Sequence, residues 1–300
     1  MTAALLKYEA PTWALAVTIY GCWFALVWFH AVLPWWLLLP AGGYVTAIHF
    51  SLQHEAIHSW RSLPAWLRTA IVWPPIGLWN PFETYRNSHS IHHRNANLTY
   101  PGLDTESVYH RPADWDRYPA LWRRLLMVNQ TFPGRLLLGP PIRLSKVVTR
   151  DFARLARGDF ADGWIWLRHV IGVTAILLFV TQIAGMPLWQ YLLFFFYFGM
   201  VLGWIRPFLE HRWGETPYQR VAAIEAHWLF GLLFLWNNLH IVHHRYPTMP
   251  WYEIPGFYRR NREAMLALNG GYVYAGYGEV LKRFWRRPTF VPVHPDKRAL

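Results

Sequence analysis

Three histidine clusters carry the chemistry of this chain. They read His54-Glu55-Ala56-Ile57-His58, His89-Ser90-Ile91-His92-His93 and His240-Ile241-Val242-His243-His244. On a helix, residues four apart share a face and residues three apart lie beside them. Each cluster therefore aims two or three imidazoles at one point. Imidazole suits iron, copper, nickel and zinc, so the ligand type alone does not choose the metal. A catalytic zinc takes about three protein ligands, and eight histidines exceed what one metal uses. Two metals sharing eight or nine imidazoles, with positions left open, fit the count better. Unrelated packing roles do not readily produce two H-x-x-H-H clusters and one H-x-x-x-H together.

A competing class is visible in the same residues. His54-Glu55-x-x-His58 matches H-E-x-x-H, in which two histidines bind zinc and the glutamate is the general base of a protease. That reading needs one further ligand and leaves the six histidines of the other clusters unused. In the two-metal reading, Glu55 stands behind the ligands or forms a salt bridge. The single cysteine, Cys22, excludes an internal disulfide and any cysteine-ligated zinc or iron–sulfur site. It reads as a lipid-facing or packed small residue.

The elements that must position these histidines are apolar. Of 300 residues, 54% are hydrophobic and 15% charged, against roughly 25% charged in ordinary soluble proteins. The formal charge is nevertheless +12. A nucleic-acid binder would explain the charge but not the apolar excess; a membrane protein explains both if the basic residues lie on one side. Four stretches, about 12–33, 35–53, 164–185 and 187–205, approach the ~20 residues that cross a bilayer. The first pair joins around Pro34 and the second around Met186-Pro187, which predicts two helical hairpins. The first stretch is too long for a signal peptide and leads directly into the second.

Basic residues divide sharply around these spans. Lys7 precedes the first, 14 Lys and Arg lie in 54–163, 13 lie in 206–300, and Arg168 starts the third. The two far-side turns hold none. The positive-inside rule then places both termini, and all three histidine clusters, in the cytoplasm. The expectation is an all-α integral membrane fold. It has four transmembrane helices in two hairpins and a cytoplasmic helical cap, 54–163 and 206–300, that holds the metals. The chain reads as one membrane domain over 1–300, without internal repeats or low-complexity tracts. Two shorter apolar stretches, 63–78 and 221–236, read as interfacial or partly buried helices, because Pro74-Pro75 interrupts one and Glu225 and His227 the other. Leu144, Val147, Val148, Phe152 and Leu155 recur at helical spacing between Arg143, Lys146, Arg150, Arg154 and Arg157. Such a basic amphipathic helix lies either in the headgroup layer or against the cap.

With the clusters and spans in place, the sequence resembles the membrane fatty acid desaturase superfamily and its relatives, the alkane hydroxylases and the carotenoid hydroxylases and ketolases. The stretch Asn237-Asn238-Leu239-His240-Ile241-Val242-His243-His244-Arg245-Tyr246-Pro247, with Met249-Pro250-Trp251-Tyr252 after it, is close to that family's third histidine box. The resemblance covers roughly residues 40–256.

The resemblance implies two non-haem iron ions on the cytoplasmic face, O₂ as co-substrate and attack on an unactivated C–H bond. A saturated chain offers no acid–base handle, so its hydrogen must be removed by a strong oxidant. The implied reaction is desaturation of a lipid acyl chain. A hydroxylase or ketolase of a lipid or carotenoid, or a desaturase of a small non-lipid molecule, would use the same centre. Electrons must come from a separate donor of ferredoxin, rubredoxin or cytochrome b5 type with its reductase, since no such domain is fused here. The basic face suits an acidic donor and equally an acyl-lipid, acyl-CoA or acyl carrier protein substrate. Membrane lipids are the other partners, nucleic acid is not, and a bacterial inner membrane is the expected location.

The family often adds a histidine between the fourth span and the third box. His211 is the expected ninth ligand, with His227 the alternative. Some members carry an asparagine four residues before it. That position is Pro207 here, so Asn237 or Asn238 would have to substitute, and Glu210 joins Glu55 as a supporting residue. The remaining histidines, His30, His49, His110, His169 and His294, have no partners at ligand spacing. Trp13, Trp35, Trp36, Trp164 and Trp204, near the span ends, read as interfacial anchors.

Overall fold

The computed structural model describes residues 9–94 and 96–296. Lys7, Lys297 and Arg298, part of the charge division above, lie outside the described residues. The chain is mostly helical. Among the described residues, three helices are long and apolar enough to cross a membrane: Ala10–Trp28, Gly163–Ile183 and Leu188–Phe208. The second expected span is a single helix, Trp35–His58, running five residues past its expected end to carry the first histidine cluster. It holds Pro40, Gly42, Gly43, His49 and Gln53 among its apolar residues and is not one of the three.

Two compact units divide the chain, one from Met1–Arg86 with Pro141–Gly203 and one from Asn87–Pro140 with Trp204–Leu300. In the first, small residues bring helices together. A Cβ on Gly43 would stand 2.4 Å from Phe198 Cδ1, and one on Gly199 would stand 2.6 Å from Thr46 Cβ. Close approach through small residues is how helices associate where lipid removes the hydrophobic drive between them. Polar links add to it. Trp23 Nε1 donates to the Tyr191 hydroxyl at 3.0 Å, which donates to the Ile76 carbonyl at 2.8 Å. Gln53 Nε2 donates to the Val72 carbonyl at 3.0 Å, tying Trp35–His58 to the short helix Ala65–Val72. That helix stops before Pro74-Pro75, as the sequence predicts. Near the turn at 184–187 both neighbouring helices widen to π geometry, over Phe179–Ile183 and Tyr191–Tyr197, and Gly185 supplies the positive φ of +71°. Replacing Gly43 by valine is expected to cost about 1–3 kcal/mol of stability through overpacking. Gly21→Val, where nothing lies within 4 Å of the added Cβ, is the control. Thermal unfolding of the two variants in detergent checks the difference.

The second unit adds short strands to the expected helical architecture. Residues Ala223–Ile224 form a strand that pairs in parallel with Val273–Tyr274, Ala223 opposite Val273. The stretch 221–236 is therefore not one interfacial helix but a strand followed by the short helix Trp228–Leu233. The run Val221-Ala222-Ala223-Ile224 is fully buried, so its backbone groups need partners. It finds them on both sides. Ala223 N donates to Tyr272 O and Glu225 N to Tyr274 O on one side, and Ala222 N to Glu210 O and Ile224 N to Asn238 O on the other, all at 2.8–2.9 Å. Ile241 N donates to Ala222 O at 3.0 Å. Val221, Ala223, Ile241, Val242, Ile254 and Tyr258 pack around it as a core.

The basic amphipathic stretch lies in the 25-residue helix Phe132–Ala156. One edge is packed, with Val147 and Asp151 buried, while Val148 and Phe152 are exposed.

Candidate metal centre

The buried strand sets the site. On the side away from Tyr272 and Tyr274 it grips Glu210, Asn238 and Ile241, and His211 bridges to Val221. This brings His211 beside the short helix His240–Arg245, which carries His240, His243 and His244. Leu235 and Trp236, with left-handed φ of 48° and 59°, turn the chain into that helix. The cluster His89, His92 and His93 comes from the end of the helix Phe82–Arg94.

Two groups of imidazoles result within the second unit. The ligand-capable atoms of His92, His211, His240 and His244 lie within 4.8 Å of one another, as do those of His89, His93 and His243. His93 and His243 approach to 2.9 Å through their Nε2 atoms. In the first unit, His54 and His58 share a helix face with ring centroids 5.0 Å apart.

The protons on the four-histidine group decide what it can bind. His211 Nδ1 meets the Arg220 carbonyl at 3.2 Å, and a carbonyl only accepts, so Nδ1 carries the proton. His240 Nδ1 meets Asn237 Oδ1 at 3.1 Å and the Glu210 carboxylate at 3.3 Å, so it too donates. Burial pushes His211 down to about 3 and His240 and His244 well below the usual imidazole range. Both rings are therefore neutral, and their Nε2 lone pairs face each other at 3.1 Å. Two acceptors at that distance repel, whereas a cation between them converts both into ligands. The donor set thus fits a metal ion. His92 extends the group, its Nε2 3.1 Å from His211 Nε2. Burial works against its charged form, but Glu106 and Asp104 outweigh burial and raise its pKa.

Two residues that sequence reasoning missed orient the rings. Asp104 accepts from His92 Nδ1 at 2.7 Å and Glu106 from His89 Nδ1 at 3.0 Å. Burial works against the Asp104 carboxylate, yet the contact with His92 holds its pKa below the usual range. The only signal available was a pair of acidic residues shortly after the second cluster.

The expected supporting residues divide. Asn237 faces His240, whereas Asn238 Nδ2 donates to the Ile224 carbonyl at 2.7 Å and braces the strand. Glu210 pairs with Arg206 at 2.7 Å; burial lifts its pKa to about 7, opposed by Arg206. Glu55 is buried beside His54 on the helix Trp35–His58. His227 is exposed and caps the helix Trp228–Leu233 through Leu229 N, and it belongs to neither group. Among the other histidines, His30 meets the Val27 carbonyl, His49 the Tyr20 hydroxyl, His110 the Tyr118 hydroxyl, His169 the Leu78 carbonyl and His294 the Thr99 hydroxyl.

Comparison with known proteins agrees with the clustered imidazoles. The profile described as "Fatty acid desaturase" matches residues 31–276. None of the curated proteins and none of the solved structures compared with the chain matches it. The family match spans most of the sequence and every histidine of the three clusters as well as His211, so this chain belongs to the fatty acid desaturase family.

Proposed function

We propose that the protein is a membrane-bound, O₂-dependent di-iron oxidoreductase that inserts a double bond into a fatty acyl chain. The observation that carries this is the approach of His211 Nε2 and His240 Nε2 to 3.1 Å, with the Nδ1 of each ring turned to an acceptor, within a chain of this family. His92, His211, His240 and His244 hold one iron. His89, His93 and His243 are ligands of the other, and the resemblance to the family implies His54 and His58 as further ligands. Bound iron provides, from O₂ and external electrons, the oxidising power that an unactivated C–H bond demands. The overall change is –CH₂–CH₂– plus O₂, two electrons and two protons, giving –CH=CH– and two waters.

The chain's own residues do the positioning. Asp104, Glu106, Asn237 and the Arg220 carbonyl each fix a ring by its Nδ1, which sets the tautomer and aims Nε2 inward. Burial keeps the imidazoles of His211, His240 and His244 unprotonated, as a ligand must be. The four-span arrangement, with Trp35–His58 as the second span, a cytoplasmic metal site and a separate electron donor belong to this same proposal. The one-sided basic charge supports it.

Metal analysis of anaerobically purified protein, with mass spectrometry of lipids from cells with and without the gene, tests the reading. We expect two irons per chain and new double bonds. A gain of one oxygen would make the protein a hydroxylase on the same centre. One zinc, no iron and peptide cleavage would overturn the oxidoreductase reading in favour of the His54-Glu55-x-x-His58 protease.

A further inference from the structure

We propose that residues 141–160 form a docking surface for anionic lipid, lying in the plane of the headgroup layer beside the third apolar span. This inference does not depend on the reaction assigned above. On the helix Phe132–Ala156, Leu144, Val148, Phe152 and Leu155 fall on one face at 100° per residue. Phe152 is 62% exposed and Phe160, just past the helix end, 69%. Arg143, Lys146, Arg150, Arg154 and Arg157 occupy the opposite face, and the packed edge of Val147 and Asp151 lies between. The apolar face is thus not the one turned toward the protein.

The corner after the helix fixes what that face meets. Only six residues, 157–162, separate the helix from the span Gly163–Ile183. Arg154 pairs with Asp159 at 2.7 Å and with Asp162 at 2.6 Å, and Trp166 Nε1 donates to Asp151 at 2.9 Å. The end of the helix is therefore tied to the first turn of a helix that enters the bilayer. Trp164 at that entry is 65% exposed, as an interfacial anchor would be. A helix held at that depth with Phe152 and Phe160 outward buries them among acyl chains, and its long basic side chains reach the phosphates. The five cations outnumber the three carboxylates that pair with them, Asp151, Asp159 and Asp162, and the net positive charge fits an anionic surface rather than a neutral one.

The lone cysteine makes this testable on the full chain. In a Cys22→Ser background, Phe152→Cys and Val148→Cys carry a nitroxide label in proteoliposomes, with Lys146→Cys as the label on the charged face. The labels at 152 and 148 should be relaxed by O₂, which partitions into the bilayer, and the label at 146 by a water-soluble nickel chelate. Labels at 152 and 148 exposed to the nickel chelate, or shielded from both agents as in a protein–protein contact, would overturn the surface assignment. Amide exchange over 144–157 should be slower by roughly fivefold in phosphatidylglycerol-containing vesicles than in pure phosphatidylcholine, from the gain of a basic side chain beside anionic lipid. Equal exchange in both would overturn the preference for anionic headgroups. Label depth is read without turnover, so it stands or falls separately from the desaturase reading.

Discussion

Replacing His211 by alanine is expected to remove one of the two metals and to abolish turnover, while His227→Ala leaves both intact. His211 occupies the middle of its group: its Nε2 lies 3.1 Å from the Nε2 atoms of both His92 and His240. His92 and His240 come from two different helices and both face it, so its loss opens the nest instead of trimming its edge. Substitutions behind a ligand cost roughly 10–100-fold in metal affinity or activity, and loss of the ligand itself should exceed that. Metal binding stabilises only the form that binds it. Chelation should therefore lower the unfolding temperature of the parent protein more than that of the His211→Ala variant, once both are measured with and without iron. His227, exposed and engaged in capping Trp228–Leu233, has no such linkage. A His211→Ala protein that keeps two irons per chain would exclude it as a ligand.

The sequence made the histidines legible because their chemistry depends on local spacing. His240 and His244 need only one helical turn to converge, and three such clusters were visible without any tertiary information. His211 was harder, because nothing near it repeats; the buried run 221–224, with its strand Ala223–Ile224, brings it to His240, and that run hides inside a stretch that reads as an interrupted apolar helix. A run as short as Val221-Ala222-Ala223-Ile224 has no period that separates strand from buried helix. Its strand character comes from partners distant in sequence, Tyr272, Tyr274, Glu210 and Asn238. Three helices long and apolar enough to cross a membrane were legible from composition, whereas Trp35–His58 continues through a polar end to carry His54 and His58. Asp104 and Glu106 could not be singled out, because a carboxylate in a turn has no periodicity and its value lies in which ring nitrogen it meets.

Asp104→Asn should separate ring orientation from ligation. The Asp104 carboxylate is 4% exposed and accepts from His92 Nδ1 at 2.7 Å, from Thr99 N at 2.8 Å and from Glu106 N at 2.9 Å. All three partners are donors. An asparagine offers one accepting oxygen and one donating NH₂, so at least one buried N–H must face another donor or go unpaired, at about 1–3 kcal/mol. Thr99 sharpens the effect. It holds φ of +76°, which is costly for a β-branched residue, and its N–H bond to Asp104 helps keep it there. If the NH₂ turns toward His92, the ring loses the acceptor that fixes its proton on Nδ1, and the tautomer with Nε2–H becomes competitive. That tautomer cannot bind a metal through Nε2. The expected outcome is a folded protein with a lower unfolding temperature and roughly 10–100-fold weaker affinity for one iron. Asp104→Glu, which keeps the charge and both accepting oxygens, should recover part of it. Iron titration of the metal-free variants checks this independently of turnover. Unchanged affinity in Asp104→Asn would mean that His92 is held by its helix alone.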